Sequence, residues 1–266
     1  MKNAGMLDPI EVAPYRDIRG NDLREIDNPN SHAVERLMYR NRLEKIVTLV
    51  RKLAKPPAWI VDWGCAQGNL CLLLAESGYW VVGIDLRKHF LDYARMKYER
   101  GQINWLVANI ETSCLNKGVV DVVLLCEVLE HCAYPERILA AAGEALRPGG
   151  FLVVTTPNGG YIRNKLPTFE AIKASDRREI IRRQFGPDGS DHLFALTLKE
   201  LRALPGGGLR PLIWGYLGSA VANVRWQCLL RRLPIGWIYR LIRVGEKITC
   251  LNAILSPGIY CVYVKE

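Results

Sequence analysis

Between Ala58 and Thr155 apolar runs and helical patterns take turns, and that alternation restricts the fold more than any other feature of the chain. Runs at Ala58–Asp62, Tyr79–Asp85, Ile103–Val107, Val119–Cys126 and Phe151–Thr155 read as strands. Asn69–Ser77, Lys88–Arg100 and Pro135–Leu146 carry apolar residues at helical spacing. Parallel strands need a crossover connection, so the alternation predicts an α/β protein with a mostly parallel sheet and helices on both faces. Arg147-Pro148-Gly149-Gly150 reads as a tight turn feeding the fifth strand. Later runs near Pro211–Tyr216 and Ile259–Val264 are expected to close the sheet.

The flanks set the domain plan. Ser31 is a natural N-cap for a helix from His32 to Leu53, stopped by Pro56 and Pro57. Residues 1–56 are therefore expected to be an N-terminal extension and helix, and 57–266 one domain with two irregular parts. These are a lid-like loop at 157–195, with a helical piece near Phe169–Arg183, and an insertion at 218–256. A helix is expected at Thr197–Leu204. A chain of 266 residues can bury one full core. No uncharged apolar run is long enough to cross a membrane, and Met1 to Asn30 shows no leader pattern. The eight cysteines form no C-x-x-C pair and read as reduced thiols, which fits a cytoplasmic location. The net charge of +9 points to an anionic partner.

The first strand leads into Asp62-x-Gly64-x-Ala66-x-Gly68, and a helical pattern starts at Asn69. Small residues at such a turn permit backbone angles and close approaches that side chains would block. There is no Lys-Ser/Thr pair of a phosphate-cradling loop. The second strand ends in Asp85, where a carboxylate can accept two hydroxyl hydrogen bonds, as a ribose diol requires. Asn109, after the third strand, can accept through its amide oxygen or serve as a simple turn residue.

The fourth strand runs on into Glu127-Val128-Leu129-Glu130-His131. A helical turn beginning at Glu127 would put Glu127, Glu130 and His131 on one face. Two carboxylates and an imidazole suit either a divalent metal or an acid–base set. Asp191-His192-Leu193-Phe194 offers a fourth group, so two of the chain's four histidines fall at these places.

The turn resembles motif I of class I S-adenosylmethionine (SAM)-dependent methyltransferases, with Ala66 where the usual middle glycine stands. Residues 58–157 look like the core of the ubiquinone-biosynthesis O-methyltransferase type, on D-W-G-C-A-Q-G, G-I-D, E-V-L-E-H, R-P-G-G and T-T-P-N. The resemblance implies a Rossmann-like, seven-stranded methyltransferase fold and SAM as cofactor. It places cofactor contacts at Asp62, Gly64, Cys65, Ala66, Gly68, Asp85, Leu86, Asn109, Ile110 and Cys126. It places the adenine amino group at Asn109, where the family more often has Asp, and backbone contacts to the methionine part at Cys126. Arg36 resembles an N-terminal arginine that meets the SAM carboxylate in the quinone family. Small-RNA 2′-O-methyltransferases share E-x-x-E-H, T-P-N and D-H-x-F, and there such residues hold a magnesium-type ion. Carried over, the metal set is Glu127, Glu130, His131 and His192, for Mg2+ or another divalent cation, and the catalytic candidates are His131, His192 and Glu127.

In the insertion, a helical wheel over Ile235–Ile248 collects Trp237, Ile238, Leu241, Ile242, Val244 and Ile248 on one broad side. Arg240, Arg243 and Lys247 fall on the other, and Arg225, Trp226, Arg231 and Arg232 lie upstream. The pattern fits peripheral membrane contact through 225–248, or a helix packed on the sheet with a charged outer face. The expected activity is methyl transfer to a small or lipid-linked acceptor at oxygen. Its rivals are an RNA 2′-O-methyltransferase of the small-RNA 3′-end type and a SAM-binding scaffold without catalysis. Nucleic acid is the less favoured partner, since no RNA-binding module is recognisable.

Overall fold

The apolar runs form strands because neighbouring residues bury into opposite faces of one sheet. The computed structural model describes residues 18, 19, 22, 33–112, 115–173, 180, 181, 184, 192–218, 230 and 232–266. They form α1 (Ala33–Leu53), β1 (Trp59–Trp63), α2 (Asn69–Glu76), β2 (Trp80–Asp85), α3 (Lys88–Met96) and β3 (Gln102–Val107). There follow β4 (Val120–Cys126), α4 (Pro135–Ala145), β5 (Leu146–Pro157), α5 (Phe169–Ile172), α6 (Leu198–Ala203) and β6 (Leu209–Leu217). The chain closes with α7 (Ile235–Gly245), α8 (Thr249–Leu255) and β7 (Gly258–Lys265). Single 3-10 turns stand at Ile110–Thr112 and Leu129–His131.

The seven strands lie in the order β3-β2-β1-β4-β5-β7-β6. β1 to β5 are parallel, and β7 runs antiparallel between β5 and β6. The expected mostly parallel sheet, closed by two late strands, is observed. Ile60, Val122, Leu124 and Val153 join a core on the face of α1, α2 and α3, with Ile46, Val50, Leu74 and Leu91. Val61, Val123, Leu125 and Val154 join the opposite core with Ile138, Leu139 and Leu201 of α4 and α6. This period-two switching between two buried faces explains why the strands read as continuous apolar runs. It is the doubly wound, Rossmann-like arrangement.

Several boundaries differ from expectation for local reasons. The expected turn at Arg147–Gly150 lies inside β5 as an irregularity, since Val120 pairs with Leu146 and Val122 with Phe151. Gly149 takes a φ of +75°, a Cβ on Gly150 would lie 2.9 Å from the Arg147 carbonyl oxygen, and Arg147 Nε donates to Asp121 Oδ1 at 2.5 Å. α3 ends at Met96, not at Arg100, because the Lys97 and Tyr98 N–H groups donate to Ala94 and Arg95 and tighten the last turn. The helix expected from Ile235 to Ile248 breaks after Gly245. There Asn252 Nδ2 donates to the Gly245 and Glu246 carbonyls and caps α7 from α8. At the far end of the lid-like segment, Leu193 to Leu196 are buried in the core, so that stretch is anchored. Ser31, His32, Asp191, Arg225, Trp226, Arg231 and most of the helical piece at Phe169–Arg183 lie outside the described residues.

Candidate active site

Strand order reverses between β2-β1 and β4-β5, and open parallel sheets form ligand crevices at the carboxyl ends flanking such a switch. A cleft of about 330 Å³ lies there, within the range of about 300–1,000 Å³ common for small-molecule sites. Of the residues expected to bind cofactor, Asp62, Gly64, Cys65, Ala66, Asp85, Leu86, Asn109, Ile110 and Cys126 line it. Gly68 does not. A Cβ there would lie 2.5 Å from Trp105 Cη2 and 2.8 Å from Ala94 Cβ, so its bareness makes room for packing behind the turn.

The turn is held from β2. The Gly64 and Cys65 N–H groups both donate to the Ile84 carbonyl, at 2.7 and 3.0 Å. Gly64 adopts a φ of +83°, and a Cβ on it would meet Val128 Cγ2 at 2.6 Å, so the loop after β4 presses against bare backbone. Ala66 has a φ of +43°, a left-handed conformation that favours glycine. Asp85 ties the turn down: Oδ2 accepts the Ala66 N–H at 3.0 Å, and Oδ1 accepts the Arg87 N–H at 2.9 Å. Arg87 Nε also reaches Oδ1 at 3.4 Å, so of the carboxylate's roughly four lone-pair sites one stays open, and a second hydroxyl donor would displace that long Arg87 contact. Asn109 Oδ1 accepts the Glu111 N–H at 2.9 Å and so forms the local turn that its residue type allows. Buried Asp62 accepts from Cys71 Sγ at 3.3 Å.

The expected Glu-Glu-His-His set divides. Glu127 leaves β4 at a φ of +57°, its N–H donating to the Thr155 carbonyl at 2.9 Å. Its carboxylate accepts from Thr155 Oγ1 at 2.9 Å and pairs with Arg42 at 3.3 Å. It therefore lines the cleft, as His131 does, and stands outside the cluster of Glu130, His131 and His192. Glu130, His131 and His192 bring one ligand atom each to within 4.8 Å of one another. Glu130 is fully buried; Thr156 Oγ1 donates to its Oε2 at 3.1 Å, and its Oε1 has no hydrogen-bond partner among the described residues. His192 Nε2 stands 4.0 Å from that Oε1, and the two imidazole rings meet edge to face with centroids 4.7 Å apart. A 3-10 turn at Leu129–His131 replaces the expected α-turn, and Glu127 precedes it in a left-handed conformation, so the carboxylates take different partners, Thr155 and Arg42 for Glu127 and Thr156 for Glu130. Burial, then the nearby Glu127 charge, pushes the Glu130 carboxyl well above the ordinary range. His131 lines the cleft, whereas Glu130 and His192 stand outside its lining.

Sequence reading missed Arg42, Gln67 and Gln184, which also line the cleft. The Arg36 side chain is outside the described residues; Arg42, further along α1, is the arginine at the cleft. Its neighbours Leu43 and Ile46 share the lining. Gln184 accepts the Ala133 N–H at 2.9 Å and donates to Glu111, bridging two cleft loops that no local motif connects.

The thiols nearby are not nucleophiles. Burial raises Cys126 well above the usual thiol value and Cys132 to about 12. Both thiols are therefore neutral at about pH 8, where a free cysteine is partly thiolate. Native protein is expected to leave buried Cys132 unmodified by iodoacetamide under conditions that alkylate the urea-unfolded chain. Peptide mass mapping reads this, and rapid native labelling at Cys132 would contradict the burial argument.

Residues 61–154 match the methyltransferase domain family. A ubiquinone biosynthesis O-methyltransferase of Vibrio atlanticus is 29% identical over 166 residues, 60% of this chain and 67% of that one. A namesake from Nitrosococcus oceani is 39% identical over 102 residues, 37% of this chain and 43% of that one. The chain thus spans between 43 and 67% of the length of these curated relatives. Among solved structures, magnesium protoporphyrin IX methyltransferase of Synechocystis with bound S-adenosylhomocysteine (SAH) superposes with a TM-score of 0.57 at 12% identity, covering 94% of each chain. Geranyl diphosphate C-methyltransferase of Streptomyces coelicolor gives 0.56 at 16% identity, covering 91% of this chain and 87% of that one. At such identities these two share the fold.

Proposed function

We propose that this chain, whose residues 61–154 are a class I SAM-dependent methyltransferase domain, transfers a methyl group to an oxygen of a small or lipid-linked acceptor. One juxtaposition carries the reading: a cleft with Asp85 beside a glycine turn on one wall, and His131, leading to Glu130 and His192, on another. SAM, when bound, supplies a methyl already activated on its sulfonium. The protein's own work is then to align the acceptor, exclude water and take up a proton. Asp85 accepts the ribose hydroxyls, and Arg42 offers a cation for the amino-acid carboxylate. His131 takes the proton of the acceptor hydroxyl, with the His192 ring packed against it and the buried Glu130 carboxyl beside them. The oxygen target is supported by relatives named as O-methyltransferases.

The same trio also fits a divalent cation. The mixed oxygen and nitrogen donors and the unsatisfied, buried Oε1 of Glu130 suit one. Glu130, His131 and His192 would hold it, and it would lower the pKa of a hydroxyl bound there. Glu127 belongs to the Arg42 side of the cleft in this reading.

The test is transfer of labelled methyl from SAM into fractionated lipid and small-molecule extracts, read as radioactivity and as the mass gain of one methylene. Glu130→Ala with His192→Ala is expected to lower kcat by about a hundredfold or more, with SAH affinity unchanged, because neither residue lines the cofactor cleft. EDTA should remove activity if a cation is held; an unchanged wild-type rate leaves the trio as an acid–base set. Turnover on an RNA 3′ end and on no extract fraction would transfer the assignment to the RNA reading.

A further inference from the structure

The insertion between β6 and β7 is apolar on two separate faces. One is used inside the protein: Ile238 and Ile242 of α7 are buried against Leu37 and Met38 of α1. The other faces outward. Trp237, Leu241 and Val244 recur at i, i+4 and i+7 along α7, and Ile248 and Leu251 follow beyond the break at Gly245; all five are exposed, Trp237 by 60% and Val244 by 59%. The Ile162 N–H donates to the Ile254 carbonyl at 2.8 Å, which adds Ile162, 70% exposed, from the loop after β5. A monomer rarely leaves a contiguous apolar surface of this kind facing water.

The charge around this surface identifies its occupant. Residues 201–265 contain a single acid, Glu246. That acid turns inward, accepting from Asn41 Nδ2 at 2.5 Å and the Gly218 N–H at 3.2 Å, with Lys45 at 4.0 Å. Arg240 and Lys247 stand exposed beside the stripe, while Arg243 is taken by Glu44 at 3.1 Å. A second copy docking symmetrically would bring these cations against their own kind. A helix pair with exposed apolar residues and cations beside them matches the boundary between acyl chains and anionic headgroups.

We propose that α7 and α8 seat the protein on an anionic membrane surface. Trp237, Leu241 and Val244 enter the acyl boundary, and Arg240 and Lys247 meet the headgroups. The position suits a lipid-linked acceptor, and in that respect the inference rests on the function proposed above. α1 holds α7 through Leu37 and Met38 and, one turn on, lines the cleft with Arg42, Leu43 and Ile46. Gly258, where β7 leaves α8, pairs with Pro157 at the same carboxyl edge of the sheet. The cleft and the junction of α8 with β7 thus lie at the same end of the sheet.

Co-sedimentation of the full chain with vesicles tests this. Phosphatidylcholine vesicles containing phosphatidylglycerol are expected to bind it, phosphatidylcholine alone much less, and added salt to weaken the binding. Trp237→Ser with Val244→Ser should lower vesicle affinity by more than about tenfold. Arg240→Gln and Lys247→Gln should each lower it about fivefold without touching the apolar stripe. No binding, equal binding to both vesicle types, or wild-type binding by both sets of variants overturns the proposal. So does a dimer in size-exclusion that the Trp237→Ser, Val244→Ser protein loses, because the stripe would then be covered by a second copy. SAH titration of the same samples reports the cleft separately. Vesicle binding without SAH binding would overturn the methyltransferase reading and leave the surface standing.

Discussion

Asp85→Ala is expected to raise the dissociation constant of SAH by about a hundredfold or more. Hydrogen bonds to an ionised group contribute about 1.5–3 kcal/mol each. Two of them to a ribose diol give about 3–6 kcal/mol, where 1.4 kcal/mol is tenfold. The carboxylate is already aimed by the protein, since it accepts the Ala66 and Arg87 N–H groups at 3.0 and 2.9 Å. It therefore loses little freedom when it accepts the diol. The substitution also releases the Ala66 N–H and with it the geometry of the turn, so the two effects act in the same direction. Asp85→Asn separates them in part, because its one amide oxygen still accepts one of the Ala66 and Arg87 N–H groups while the charge is removed. Isothermal titration is the measurement. An affinity for Asp85→Ala within threefold or so of wild type would mean that the diol is held elsewhere, and the cofactor assignment of the cleft would lose its anchor.

The second large effect is on stability. Gly68→Ala is expected to destabilise the fold by about 2–5 kcal/mol, the sum of a left-handed alanine at about 1–2 and overpacking at about 1–3. Domains are commonly stable by only about 5–15 kcal/mol. The glycine has a φ of +74°, and a methyl would lie 2.5 Å from Trp105 and 2.8 Å from Ala94. Gly118→Ala is the matched control: its φ is +71°, but nothing lies within 4 Å of the added carbon. It should lose only the backbone part, about 1–2 kcal/mol. Urea unfolding of both variants decides the matter. Equal losses at the two positions would show that the Trp105 wedge yields freely, and the packing account of Gly68 would be wrong.

Much of the site was legible before any coordinates. Gly64, Ala66 and Asp85 were readable because a strand, a small-residue turn and a strand-end acid are local patterns with a local cause. His131 and His192 were readable as rare residue types in suggestive company. Arg42 and Gln184 were not. Each reaches the cleft from a segment far away in sequence, and nothing in α1 marks which of its arginines turns toward β4. Nor did the sequence reveal that Glu127 and Glu130 part company. A 3-10 turn and a φ of +57° at Glu127 send one carboxylate to Arg42 and bury the other beside the histidines.

The sequence by itself determined that this chain builds a doubly wound parallel sheet. Apolar residues alternating between two buried faces, interrupted by amphipathic helical stretches, leave few other ways to remove that surface from water. It also marked the small-residue turn after β1 and the acid ending β2 as the binding end of the sheet, while the reversal of strand order that opens a crevice there came from the topology. Only the tertiary structure decided which face of α7 is used. A helical wheel merges Ile238 and Ile242 with Trp237, Leu241 and Val244 into one apolar side. Burial against α1 takes the first pair and leaves the others in water. A single helix's periodicity records that residues are apolar but not what covers them, since the covering group comes from another part of the chain.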